Sequence, residues 1–303
     1  LLAASFFASR NWLFDLLSNL RLQYALCFVL LTLAALVLRR WNFAALAAAG
    51  ALLAAVGPLR YNYFDSTPAG PSATRQLRVV QLNAWFRNHD VATTARLLES
   101  AHADVAVIEE WDPATLSLLA RELPSYRYSY VDPNLSRHGA AVFSRWPIAH
   151  ARTEQLAGAD GAAAVVDVSW ENTVITVVGV HVHWPLGGGV AALRDAELAQ
   201  LAELARKRHG PFMLVGDFNM TPWSAAFARL VADSGLADAA RGRGLISTWP
   251  TQFPPLGMTI DHCFVSPEWH TLGVRRAASI GSDHFPVVYD LALSANASNR
   301  VSA

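Results

Sequence analysis

Six short stretches of this 303-residue sequence, strand ends or loops by their patterning, each deliver a carboxylate, an amide or an imidazole. LRVVQLNAW delivers Asn83, DVAVIEE delivers Glu109 and Glu110, and TVITVVGVHVH delivers His181 and His183. MLVGDFN carries Asp217 and Asn219, TIDH carries Asp261, and GSDHFP carries Asp283 and His284. Lys and Arg are missing from these places. That residue set suits a hard divalent cation held by oxygen ligands, with imidazoles at hand to move protons or contact phosphate. Asp217 and Asn219 stand two apart, as do His181 and His183, so an extended chain presents each pair on one face. Asp and Asn are also ordinary turn residues, and GDFN alone would fit a strand-to-helix turn as well. The chemical reading rests on the six stretches together.

The elements that must hold these residues alternate. Strands are expected over 77–85, 104–110, 140–145, 162–170, 173–183, 213–219, 259–266 and 286–293, from their β-branched content and bounding turns. Helices are expected over 91–103, 113–123, 192–208 and 224–235; Asp112-Pro113 opens the second, and Ser224 and Gly235 bound the last. Adjacent strands are not always separated by a helix, which fits an α+β sandwich better than a doubly wound sheet. Arg194, on the third of these helices, is expected to be solvated or salt-bridged. The run from Gly187 to Gly189 is expected to be a flexible loop near the cleft.

The chain is 53% hydrophobic and only 16% charged, below the quarter or so usual for a soluble domain. The surplus sits at the N-terminus. Residues 22–38 and 41–58 form two apolar runs around Arg39-Arg40, each near the short end of a membrane span of roughly 17–25 residues. We therefore expect transmembrane helices within 1–59, with 1–8 as a possible remnant of an earlier one. A Pro- and Gly-containing linker is expected over 60–76, a catalytic domain over 77–293 and a tail over 294–303. The dibasic loop favours the cytoplasmic side, which would put the catalytic domain on the other face of a bacterial inner membrane, in the periplasm. Residues 1–60 hold five Arg and one acid, which leaves the remainder with 19 basic and 23 acidic residues. A net charge of −4 with one lysine, Lys207, argues against a domain that lives on non-specific duplex binding. The two cysteines, Cys27 and Cys263, form neither a disulfide framework nor a metal cluster.

In this order, QLNAW, IEE, VHVHWP, GDFNMTPW, STWP, TIDH and GSDHFPV resemble the motifs of the endonuclease/exonuclease/phosphatase superfamily, the deoxyribonuclease I-like group, over residues 77–293. The N-terminal runs look like those of bacterial, membrane-anchored members. The resemblance implies a four-layer α/β/β/α sandwich and a Mg²⁺ cofactor, with Mn²⁺ as a possible substitute. It implies Glu110 as the main metal ligand, with Asn83 and Asp283 on the metal side. Asp217 would orient or deprotonate the attacking water, and Asn219 would hold a phosphate oxygen. Asp261 would fix the tautomer of His284, while His284 and His181 would touch the scissile phosphoryl group. Trp249 is expected in the cleft wall or the core. Two departures stand out: Glu109 where many members have Gln, which adds a charge beside the ligand, and Val180 before His181 where many have Thr. The expected substrate is a phosphoester, from nucleic acid or a phospholipid headgroup, and no protein partner is implied. The alternative is a non-catalytic membrane-bound scaffold or receptor that keeps the fold.

Overall fold

The computed structural model describes residues 1–65 and 75–294. Most of the expected linker and all but the first residue of the expected tail lie outside the described residues. The chain opens with a short helix α1 (Leu2–Ser5), a 3₁₀ turn (Ala8–Arg10) and α2 (Trp12–Ser18). Two long apolar helices follow, α3 (Arg21–Val37) and α4 (Trp41–Leu59), which runs through Pro58 into a π-helical turn at Arg60–Phe64. α3 and α4 pack as an antiparallel hairpin: Phe28 lies over Gly50, and Arg21 over Gly57. Arg39 turns the corner at φ 55°. The outer surface of the hairpin is a band of exposed Leu, Val, Phe and Trp side chains.

Beyond it lie two six-stranded sheets. The first comprises β1 (Arg75–Asn83), β2 (Val105–Glu109), β3 (Tyr128–Tyr130), β4 (Ala140–Ser144), β11 (Trp269–Arg276) and β12 (Val287–Leu293), in the order β11-β12-β1-β2-β4-β3. The second comprises β5 (Ile148–Gln155), β6 (Ala162–Trp170), β7 (Thr173–His181), β8 (Phe212–Asp217), β9 (Ala237–Asp238) and β10 (Asp261–Val265), in the order β5-β6-β7-β8-β10-β9. The sheets face each other across a core of β-branched residues with Trp170, Met213 and Tyr289 among them. Helices α5 (Val91–Ala101) and α6 (Pro113–Arg121) cover the outside of the first sheet. Helices α7 (Gly188–Arg206) and α8 (Ala225–Ser234) cover the second. The result is the expected four-layer α/β/β/α sandwich.

Caps behave as the residue types dictate. The Asp112 carboxylate accepts from the backbone N–H groups of Ala114 and Thr115, Ser224 Oγ accepts from Phe227, and Gly235 ends α8 at φ 68°. Two expectations are corrected. The glycine run is not a loop, because Gly187 is the residue before α7 and Gly188 and Gly189 form its first turn. Four strands have no counterpart in the sequence reading: β3, β5, β9 and β11. They are the four sheet edges. An edge strand shields little of its surface, so β5, with its sequence IAHARTEQ, carries no buried apolar alternation to reveal it.

Register explains why distant residues meet. β1 and β2 run parallel with Asn83 opposite Glu109. β7 and β8 run parallel with His181 opposite Asp217, and antiparallel β10 brings Asp261 opposite Asp217 from the other side. Neighbouring strands lie about 4.8 Å apart, so the last residues of β1, β2, β7 and β8 and the first of β10 fall within one patch at one end of the sandwich.

Candidate active site

A cleft of about 670 Å³ opens over that patch. Glu110, His181, Asp217, Asn219, Asp283 and His284 line it, and Asn83 and Asp261 stand directly behind. Asp217 is central. Its Oδ2 accepts from Asn83 Nδ2 at 3.1 Å and lies 3.6 Å from His284 Nε2 and 3.7 Å from His181 Nε2. Its Oδ1 accepts from the Asn219 backbone N–H at 2.8 Å. That last bond shows that GDFN is both a turn and a site. The chain leaves the strand after Asp217, Asn219 adopts φ 51°, and an Asx-type turn rather than strand alternation brings the two side chains together. Gly216 is required here: at φ 154° an added Cβ would lie 1.8 Å from the Val180 carbonyl oxygen.

Glu110 also sits in the left-handed region, at φ 68°. A glutamate gains nothing locally from that conformation, and what compensates for it is a set of tertiary bonds. Its Oε1 accepts from Asn83 Nδ2 at 2.8 Å and its Oε2 from the Phe86 N–H at 3.1 Å. It does not cap α6; Asp112 does. Asp283 accepts from Trp249 Nε1 through Oδ2 at 3.1 Å, while its buried Oδ1 has no hydrogen-bond partner among the described residues. Trp249 thus forms part of the cleft wall. The orphaned Asp283 oxygen and the Glu110 carboxylate are oxygen donors that fit a hard divalent cation keeping several of its waters, while Asn83 turns its Nδ2 to Glu110 and Asp217 and its Oδ1 to the Trp85 N–H.

The imidazoles are held from behind. His284 Nδ1 pairs with Asp261 Oδ2 at 2.9 Å, and Asp261 Oδ1 accepts from Gln81 Nε2 at 2.8 Å. Burial opposes a charge on His284, but the Asp261 and Asp217 carboxylates and the Asp261 hydrogen bond outweigh it and raise its pKa to about 10. Burial and then the nearby Asp261 push Asp217 up to about 6, against the pull of the two histidines. His284 therefore carries its proton at neutral pH in the metal-free protein. Its contribution to stability is fully present below its unfolded pKa of about 6.5 and is lost as pH rises through about 10. In an imidazole NMR titration of the metal-free protein, we expect one histidine to stay protonated past pH 8. In Asp261→Asn it should titrate at least two units lower, and an unchanged titration would refute this charge balance.

His181 Nδ1 donates to the Arg137 carbonyl oxygen at 2.5 Å. That carbonyl is fixed in turn by a cluster at the rim of the cleft. The His138 ring stacks on His183 with centroids 3.7 Å apart, His183 Nε2 lies 3.2 Å from Asp160 Oδ1, and His183 Nδ1 pairs with buried Glu197 at 2.7 Å. Burial, then the His181 and His183 charges, lowers the His138 pKa to about 4. Arg137, His138, Asp160 and Glu197 were not foreseen, because none lies in a recognisable motif.

Glu109 corrects an expectation about charge. It is wholly buried, and burial, followed by Asp261 and Asp217, pushes its pKa well above the carboxylate range and favours the neutral acid. Since Gln is a neutral isostere, Glu109→Gln should keep kcat/KM within about threefold and leave Tm nearly unchanged, as expected of a volume-conserving swap. A loss above tenfold would mean that the carboxylate is ionised and used.

The most unexpected lining residues are Leu16, Asn19 and Leu20, which belong to the N-terminal segment. This segment is docked on the catalytic domain by buried polar bonds. Asp15 Oδ2 accepts from Arg194 Nη2 at 2.9 Å, and its Oδ1 accepts from the Ala225 N–H at the start of α8 at 2.6 Å. Asn19 Oδ1 accepts from both the backbone N–H and the hydroxyl of Thr221, each at 2.7 Å. Arg194 is salt-bridged, as expected, but only 1% exposed rather than solvated. At the far end of the hairpin, Tyr61 donates to Asp238 at 2.5 Å, and Gly242 and Gly244 donate to the carbonyls of Tyr61 and Asn62.

Known proteins share this architecture. The structure of a Bacteroides vulgatus endonuclease/exonuclease/phosphatase is 18% identical, covers 73% of this chain and 100% of its own, and gives a TM-score of 0.62. Sphingomyelinase C from Streptomyces griseocarneus is 21% identical over 72% of this chain and 99% of its own, with a TM-score of 0.54. The mannosyl-6-phosphatase Bt3783 of Bacteroides thetaiotaomicron is 19% identical over 72% and 100%, with a TM-score of 0.57. No protein of curated function matches the sequence. The family model for the Endonuclease/Exonuclease/phosphatase family matches residues 80–284. With that match spanning most of both sheets, the chain belongs to the endonuclease/exonuclease/phosphatase family of metal-dependent phosphoester hydrolases.

Proposed function

We propose that this chain is a membrane-anchored, Mg²⁺-dependent phosphoesterase that hydrolyses a phosphodiester or phosphomonoester by in-line attack of water. The observation that carries the reading is the Asp217 carboxylate set between two oriented imidazoles at the floor of a cleft. Mg²⁺, or Mn²⁺ in its place, would be held by Glu110 with Asn83 and Asp283 beside it, and would neutralise charge on the phosphoryl oxygens. Asp217 aligns the water and takes its proton as the new O–P bond forms and the ester P–O bond breaks. His284, charged by its carboxylate neighbours, donates to the non-bridging oxygens with Asn219 Nδ2 as a further donor, and His181, oriented by the Arg137 carbonyl, turns its Nε2 to the scissile phosphoryl group.

The anchor is the α3–α4 hairpin. The continuous helix Trp41–Phe64 is 24 residues long and apolar enough to cross a membrane, and α3 lies along it. With Arg39-Arg40 on the cytoplasmic side, the catalytic domain faces the periplasm of a bacterium. A C-terminal reporter active only in the cytoplasm would reverse that orientation.

The test is hydrolysis by the full chain in detergent or vesicles, with Mg²⁺, against plasmid DNA, RNA, phospholipid and bis-p-nitrophenyl phosphate. EDTA should abolish turnover and added Mg²⁺ should restore it. A folded protein that binds the metal and hydrolyses nothing on this panel would favour the scaffold instead.

A further inference from the structure

The family match begins at residue 80, yet Leu16, Asn19 and Leu20, sixty residues or more upstream, line the cleft. This wall therefore lies outside the segment that the family model matches. It is also firmly built, since Asp15, next to Leu16, and Asn19, next to Leu20, are buried and bonded to the catalytic domain. Trp184 and Leu186, each 52% exposed, and Met258 line the same cleft. Large apolar side chains left in water at the mouth of a cleft mark a contact surface rather than a packing fault.

The surroundings specify the contact. Leu20 immediately precedes Arg21, the first residue of α3, and the exposed apolar band of α3 begins at Leu26, about 9 Å further along at 1.5 Å per residue. Gln23 of α3 donates to the Leu256 carbonyl at 2.6 Å, next to exposed Leu256 and Phe253. An apolar path thus leads from the phosphoester site, over Leu16 and Leu20, to the surface that the hairpin presents to lipid. On the polar side, Arg137 is the one arginine among the described lining residues, and there is no lysine. Such a cleft can neutralise one phosphate but offers no stripe of cations for a nucleic-acid backbone.

We propose that Leu16 and Leu20, with Trp184, Leu186 and Met258, form a subsite for the hydrocarbon of an amphiphilic phosphoester that enters from the bilayer with its phosphate facing Asp217 and His284. The proposal rests on the phosphoesterase reading above and narrows it to bilayer lipids. The anchor is then part of the substrate site as well as a tether.

The experiment compares two probes with one leaving group, methyl p-nitrophenyl phosphate and hexadecyl p-nitrophenyl phosphate, on the full chain in phosphatidylcholine vesicles with Mg²⁺. The readout is the ratio of their kcat/KM values. We expect the wild type to favour the long-chain probe by at least about a hundredfold, since each buried methylene adds to binding. Leu16→Ser/Leu20→Ser should lower that ratio by about tenfold or more, and Leu16→Met/Leu20→Met should restore it. Should the serine variant fail to fold, Trp184→Ser, at another lining residue of the cleft, supplies the same readout. A wild type with no chain-length preference, or a serine variant that loses equally on both probes, overturns the subsite while leaving the phosphoesterase intact. Hydrolysis of neither probe by a folded, Mg²⁺-loaded protein, with RNA or DNA cleaved instead, also overturns it and assigns the cleft to nucleic acid. Silence on every substrate overturns both readings.

Discussion

Replacing His284 by Ala lowers kcat by about 10³–10⁴-fold while the protein stays folded, a loss expected from removing a charged donor aimed at the reacting group. The magnitude follows from position. His284 is the cation nearest Asp217, its Nδ1 is committed to Asp261, and only Nε2 faces the cleft. Asp261→Asn should cost less, about 10²-fold, because the ring remains but loses the partner that fixes its charge and tautomer. Steady-state rates on bis-p-nitrophenyl phosphate, paired with thermal melts, check both. Equal losses in the two variants would mean that Asp261 acts directly on the reaction rather than through His284.

Asp15→Ala should destabilise the protein by about 3 kcal/mol, the low end for breaking a buried ion pair, since Asp195 still holds the Arg194 guanidinium. The same change strips the acceptor from the first N–H of α8. Adding Arg194→Met to Asp15→Ala should recover much of the loss, because the guanidinium left by the single change disappears. Chemical denaturation of the full chain in detergent measures both effects. A single variant within 0.5 kcal/mol of wild type would show that α2 is not docked as described. A chain cut to start after the hairpin should behave worse than either, with the Arg194 side chain exposed and one wall of the cleft gone.

The central strands were legible because burial on both faces imposes a continuous apolar run, as in MLV before Gly216 or VAVI before Glu109. The edges were not, because β3, β5, β9 and β11 are free to be polar or very short. The expected site residues could be named because Asn83, Glu110, His181, Asp217 and Asn219 end or follow buried strands, while Asp261 opens β10 and Asp283 and His284 precede β12; the registers of β1 with β2 and of β7, β8 and β10 gather the first six. What the sequence hid were contacts between segments with no shared pattern: the Arg137 carbonyl behind His181, the Asp160–His183–Glu197 chain, and the docking of α2. One signal for the last was present. Asp15 is the one acid in the first 60 residues, set among Phe and Leu, and an acid there requires a buried partner. Its partner Arg194 lies 179 residues away, on a helix that also buries Glu197 against His183.

The hairpin is bonded to the catalytic domain at both ends, through Asp15 and Asn19 before it and Tyr61 and Asn62 after it. A domain on a loose leash of n residues would wander over about 5–6 Å × √n and sample a volume of solution. If the hairpin spans a bilayer as proposed, a domain clamped in this way would hold its cleft at one height above it. Its encounters with a bilayer substrate would then be two-dimensional, and its working KM would be a mole fraction of the surface rather than a molarity. Diluting the target lipid with inert lipid should slow it, while diluting the vesicles with buffer should not.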